Sequence, residues 1–142
     1  MTEKPLHVLV AEKQALIAIE IEVLLTEVAG GKITVCLPRD MPLRLTEARY
    51  DVVLIDATIM PEQNRTRFDL IRSHNAGVVF LTSFDEVPGF SQPEPGFALL
   101  TKPFDEQRLL AAVFQAAANR DPMGMGLETK IEGNGADQGP NR

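Results

Sequence analysis

Five short apolar runs recur along this chain, each of strand length and each separated from the next by a segment with the wider spacing of a helix or by a turn-rich stretch. They are His7-Val8-Leu9-Val10-Ala11, Lys32-Ile33-Thr34-Val35-Cys36, Asp51-Val52-Val53-Leu54-Ile55, Gly77-Val78-Val79-Phe80-Leu81-Thr82 and Phe97 to Leu100. The third and fourth are apolar without alternation, the pattern of strands covered on both faces. Helical spacing runs from about Lys13 to Ala29, where Gly30 and Gly31 stop it, and over a short stretch from Met41 to Arg49 with Pro42 in its first turn. It returns from Pro61 to about His74, and from an N-cap at Asp105 to about Asn119. Between Phe84 and Gly96 the rhythm breaks. Pro88, Pro93 and Pro95, with Gly89 and Gly96, argue against a full helix there.

Strands and helices in this alternation predict an α/β fold: a doubly wound sheet of five parallel strands, with the fourth helix shortened or absent. Ligands in such sheets sit beyond the carboxyl ends of the strands, where Glu12, Lys13, Asp56, Thr82 and Lys102 all fall. Residues 1–120 read as one domain. Residues 121–142, with five glycines and two prolines, read as a disordered tail.

Composition narrows the function. A net charge of -6 opposes binding to nucleic acid and to anionic membranes, and Arg65, Arg67 and Arg72 are too sparse a cluster to reverse it. Cys36, the lone cysteine, reads as the end of a buried strand, and no internal disulfide is possible. No stretch approaches the roughly 18 apolar residues of a membrane span, and the N-terminus has no signal-peptide pattern. The expectation is a soluble, cytoplasmic protein. His7 and His74 are too far apart in the pattern to suggest a metal site. Ala11-Glu12-Lys13-Gln14 lacks the glycines of a phosphate-cradling loop, which weighs against a small flavin carrier or phosphatase.

Four segments in order, Val8-Leu9-Val10-Ala11-Glu12, Tyr50 to Asp56, Val79-Phe80-Leu81-Thr82 and Leu100-Thr101-Lys102-Pro103-Phe104, resemble the bacterial response-regulator receiver domain over about Leu6 to Arg120. The resemblance implies a flavodoxin-like receiver fold and two-component phosphorelay signalling. Asp56 would be the phosphoacceptor, served by a histidine kinase or phosphotransfer protein. Lys102 would supply a cation and Thr82 a hydroxyl to the phosphoryl group. Glu12, Asp56 and the carbonyl of Thr58 would be the metal-binding groups, and Lys102-Pro103 would be a cis peptide. A carboxylate nucleophile needs an exposed strand end and positive charge near the transferring oxygens, which these residues supply. Alone, Asp56 reads as a turn or cap residue, Thr82 as a buried strand residue and Lys102 as a solvated lysine. Their company carries the reading. No enzymatic activity is expected beyond phosphorylation and dephosphorylation at Asp56.

The chain departs from that family in two places. Receivers carry two adjacent acids after the first strand, and here the acidic-pair positions are Glu12 and Lys13. Glu12 and Asp56 then face Lys13 and Lys102, so the local charge is neutral without metal. Exchanging a carboxylate for an ammonium about 4 Å from a divalent ion, at an effective dielectric near 20, costs several kcal/mol. Magnesium is therefore expected to bind weakly or not at all, and no cofactor to be tightly held. Lys13 has three readings: it stands in for part of the metal's charge, it pairs with Asp56 and freezes the site, or it points to solvent at the start of the helix. Leu99 stands where receivers commonly have Tyr or Phe, with Phe97 two positions earlier on the same strand face, so the usual aromatic switch is doubtful.

Two surfaces suggest partners. On the first helix Ile17, Ile21, Leu24, Leu25 and Val28 make a core stripe, and Leu16, Ile19 and Val23 make a second, which either broadens the core face or docks a kinase helical bundle. On the last helix Leu109, Leu110, Val113, Phe114 and Ala117 are expected in the core, and Ala111, Ala112, Ala116 and Ala118 are expected to leave a small-residue outer face suited to a homodimer. The preferred reading is a single-domain receiver. Its competitor is a phosphorylation-independent pseudo-receiver acting as a protein-interaction module.

Overall fold

The computed structural model describes residues 5–91 and 96–120. The tail expected over 121–142, and Pro93 and Pro95, lie outside the described residues. Ten elements follow in order: β1 (His7–Ala11), α1 (Ala15–Ala29), β2 (Lys32–Cys36), a single 3-10 turn (Pro38–Asp40) leading into α2 (Met41–Glu47), β3 (Val52–Asp56), α3 (Pro61–Ser73), β4 (Gly77–Thr82), β5 (Phe97–Thr101) and α4 (Glu106–Ala118). The five strands are all parallel in the order β2-β1-β3-β4-β5. That is the doubly wound flavodoxin-like arrangement expected, with its switch point between β1 and β3. Among the described residues between β4 and β5 there is no helix. No helix of the described residues is long and apolar enough to cross a membrane.

Strand parity divides the core in two. Val8, Val10, Leu54, Val79 and Leu81 pack beneath α1 and α4 with Ile21, Leu25, Leu109 and Val113. Leu9, Val53, Ile55, Val78 and Phe80 face the opposite layer with Met41, Leu45, Phe68 and Ile71. Phe90, from the stretch that stands in place of a helix, is pinned in this second layer. Its ring centroid lies 5.0 Å from Phe97, 5.3 Å from Phe68 and 5.8 Å from Phe80. The first two pairs are edge-to-face, a packing that adds to the area that the rings bury.

Three sequence expectations are corrected here. Helix α1 starts at Ala15 rather than Lys13, because the Glu12 carboxylate takes the Gln14 amide and keeps that residue extended. The second stripe of α1 does not broaden the core: Leu16 is 82%, Ile19 54% and Val23 45% exposed. The first stripe does reach the core with Ile17, Ile21, Leu24 and Leu25, and the side chain of Val28 lies outside those described. On α4, Phe114 is half exposed and Ala112 and Ala116 are buried, while Ala111 and Ala118 stay on the outer face as expected. Gly77 explains the rotation, since a Cβ there would run into the Ala116 carbonyl; its absence lets α4 close onto β4.

Candidate functional site

Four strand ends meet at one edge of the sheet. After β1, the Glu12 amide still pairs with the Cys36 carbonyl at 3.2 Å, which turns its side chain into the protein, where it is fully buried. One carboxylate oxygen accepts the Gln14 N–H at 2.9 Å. Asp56 closes β3, with its carboxylate at the base of an open pocket of about 220 Å³ whose wall includes Lys13, Thr58, Thr82, Phe84 and Lys102. Lys102 follows β5 and donates its amide to the Thr82 carbonyl at 2.7 Å. Its ammonium lies 2.8 Å from Asp56 Oδ1 and 3.4 Å from Glu12 Oε1. The Lys102-Pro103 peptide is cis. Thr82 is buried, and its hydroxyl accepts the Phe84 N–H at 3.0 Å.

The titration of these groups follows from that geometry. Burial raises the Glu12 carboxyl above its ordinary value; the Gln14 amide opposes the rise, and neighbouring Asp56 adds to it. Burial alone pulls the Lys102 ammonium down, but the hydrogen bond and charge of Asp56, with those of Glu12, outweigh it and raise it. Arg67, partly buried on α3, is lowered by its burial, and the charge of Asp56 opposes that. Cys36 is buried and its thiol is pushed up to about 11, which makes it inert as a nucleophile.

The sequence-derived site residues thus come together, with one change of partner. Asp56 is paired with Lys102, and Lys13 is exposed at the pocket wall, without an ion pair among the described residues. The reading in which Lys13 locks Asp56 is set aside, because Lys102 already fills that contact. Phe97 is buried in the aromatic cluster and Leu99 packs partly buried on the same layer.

Two residues escaped the sequence reading. Arg67 appeared only as part of a sparse basic cluster, and it stands within electrostatic reach of Asp56. Asn64, three residues into α3 from Pro61, is fully buried and bonds to the backbone of Thr58 on both its amide and its carbonyl, each at 2.9 Å. Its one sequence signal was a carboxamide close after the loop that follows Asp56.

The residues do not fit a divalent cation. Magnesium takes oxygen donors of net negative charge. Here the Lys102 ammonium contacts both carboxylates, and a second cation, Lys13, stands at the pocket wall. Among the described residues no group of three or more His, Cys, Asp or Glu stands close enough to hold a metal ion.

No protein-family model matches the chain, and no curated protein does. Solved structures do. A response regulator receiver protein from Sinorhizobium medicae is 22% identical with a TM-score of 0.69, the match covering 83% of this chain and 98% of that one. The chemotaxis response regulator CheY4 of Vibrio cholerae is 20% identical with a TM-score of 0.63, covering 80% and 99%. The anti-anti-sigma factor PhyR from Bartonella quintana is 24% identical with a TM-score of 0.62, covering 81% of this chain but 49% of the other. At these identities the likeness is one of fold. This chain has the fold of response regulator receiver domains.

Proposed function

We propose that this chain is a receiver in two-component phosphorelay signalling in which Asp56 accepts a phosphoryl group from a histidine kinase or phosphotransfer protein without needing magnesium. The observation that carries this reading is the Lys102 ammonium set between Asp56 and Glu12 at 2.8 Å and 3.4 Å, at the base of an open pocket. In the transfer, an Asp56 carboxylate oxygen attacks the phosphorus of a phosphohistidine. The O–P bond forms as the P–N bond breaks, and the leaving imidazole keeps the electron pair and takes a proton from water. The product is an acyl phosphate. Lys102 and the Thr82 hydroxyl meet its oxygens, and Lys13 at the pocket wall and Arg67 on α3 add positive charge where a metal ion would otherwise act. The exposed Leu16, Ile19 and Val23 stripe of α1 offers the kinase or phosphotransfer protein an apolar docking face.

The test is incubation with acetyl phosphate, with magnesium and with EDTA, followed by intact-mass measurement. The expected result is one phosphoryl adduct formed to a similar extent in both conditions and lost in Asp56→Asn. Absence of an adduct in both conditions removes this reading and leaves the second: a phosphorylation-independent interaction module that uses the same α1 face. One observation favours that alternative, namely that the Lys102–Asp56 pair already satisfies the acceptor's charge. A structural neighbour described as an anti-anti-sigma factor is compatible with such a protein-binding role.

A further inference from the structure

Beside the acceptor, one carboxamide ties together two loops that come from distant parts of the chain. Asn64 is a fully buried polar side chain, and each of its hydrogen-bonding positions is used. Its Oδ1 accepts the Thr58 N–H at 2.9 Å and lies 3.2 Å from the Thr58 hydroxyl. Its Nδ2 donates to the Thr58 carbonyl at 2.9 Å and to the Pro88 carbonyl at 2.9 Å. Thr58 is two residues past Asp56, and Pro88 belongs to the helix-free stretch after β4. The two loops also touch directly. Gly89 has φ +101°, and a Cβ on it would come within 2.7 Å of the Pro61 carbonyl oxygen.

The other end of the helix-free stretch is fixed to the same pocket. The Phe84 N–H rests on the Thr82 hydroxyl at 3.0 Å, while the Phe84 ring is 71% exposed at the pocket wall. Residues 83–90 are thereby held at one end by Thr82 and at the other by Asn64. Both anchors stand beside Asp56.

We propose that Asn64 is a positioning residue that fixes the backbone of the Asp56 loop in place of a metal ion and couples that loop to residues 83–90, so that a change at Asp56 is displayed at the exposed Phe84. The coupling to a phosphoryl group rests on the reading of Asp56 as acceptor. The clamp itself does not.

Amide hydrogen exchange on the whole chain tests the clamp without any phosphodonor. Asn64→Leu keeps the size and loses all four contacts, so the Thr58 amide and the Phe90 amide, which donates to the Val87 carbonyl at 3.1 Å, should exchange about tenfold faster or more, with β1 and β5 unchanged. Asn64→Asp keeps an acceptor for the Thr58 amide but loses both donors. It should speed exchange at Phe90 while leaving Thr58 protected. A residue that merely filled space would give the same pattern in both variants, or faster exchange throughout the sheet, and either result overturns the proposal. So does unchanged exchange at Phe90. Wild type treated with acetyl phosphate is then compared with Asn64→Leu. If the adduct forms, exchange at 83–90 should change in wild type and not in the variant; a change of equal size in both overturns the coupling. If no adduct forms in wild type, the acceptor reading fails with the coupling that rests on it, while the exchange patterns of the unmodified proteins still decide the clamp.

Discussion

Lys102 and Asp56 stand 46 positions apart in the chain and 2.8 Å apart in space, joined by a hydrogen-bonded ion pair. The contact is possible because β5 and β3 flank β4 in parallel, so their carboxyl ends open on the same side. Lys102→Met would leave Asp56 facing the buried Glu12 with no ammonium in contact with either. The expected cost is about 1–3 kcal/mol of folding stability, read as a lower denaturant midpoint with an unchanged slope. Restoring the wild-type midpoint by adding Asp56→Asn to that variant would trace the loss to the uncompensated carboxylates.

Glu12 should show itself in the pH dependence of stability. Its folded pKa is raised above the ordinary 4.5, chiefly by burial, so the folded state holds this proton more tightly than the unfolded chain does. Ionised Glu12 therefore opposes folding, and that penalty fades as the pH falls through the folded pKa toward 4.5. Glu12→Gln should be more stable than wild type at neutral pH, with a difference that shrinks on acidification. Urea titrations of both proteins at several pH values measure it, and a difference that grows toward acid would contradict the assignment.

Lys102 behaves in the opposite sense at the alkaline end. Its folded pKa lies above the ordinary 10.5, because Asp56 and Glu12 outweigh the burial that would lower it. The stability it contributes is fully present below 10.5 and is lost as the pH rises through the folded value. Thermal melts of wild type should fall more steeply above that pH than those of Lys102→Met.

Lys13→Asp is a gain-of-function test of the altered acidic pair. It places a carboxylate beside Glu12 and removes a cation from the pocket wall. Magnesium affinity measured by calorimetry should rise about tenfold or more over wild type. Equal affinity in the two proteins would mean that Lys13 has no bearing on the site's charge.

Gly77→Ala tests how α4 is seated. The added methyl meets the Ala116 carbonyl, a backbone group that a side-chain rotation cannot move aside. A loss of about 1–3 kcal/mol is expected in chemical unfolding, with Asp56 still able to pair with Lys102.

The sheet and the ends of its strands were legible because continuous apolar runs and the residues that close them are local signals. Asp105 was legible for the same reason, and it does cap α4 by accepting the Arg108 amide at 2.8 Å. What escaped depended on neighbours that no local pattern names. The outward turn of Phe114 follows from a glycine on β4, and the exposure of Leu16, Ile19 and Val23 follows from how narrow a strip of α1 the sheet and α4 cover. Asn64 drew no reading from its neighbours in sequence, because its partner Pro88 lies 24 residues further on. For Lys13 the residue type allowed three readings, and the pairing of Lys102 with Asp56 removed one.

The pairing of β4 with β5 runs one step past its last matched residues, Thr82 with Thr101, through the amide of Lys102. Hydroxyl and ammonium therefore rise from backbones that are hydrogen-bonded to each other, on a common floor. A response to a guest in the pocket would then come from torsion of those two side chains and from the walls at 57–60 and 83–91. A spectroscopic label on β4 or β5 would stay silent while one on Phe84 spoke.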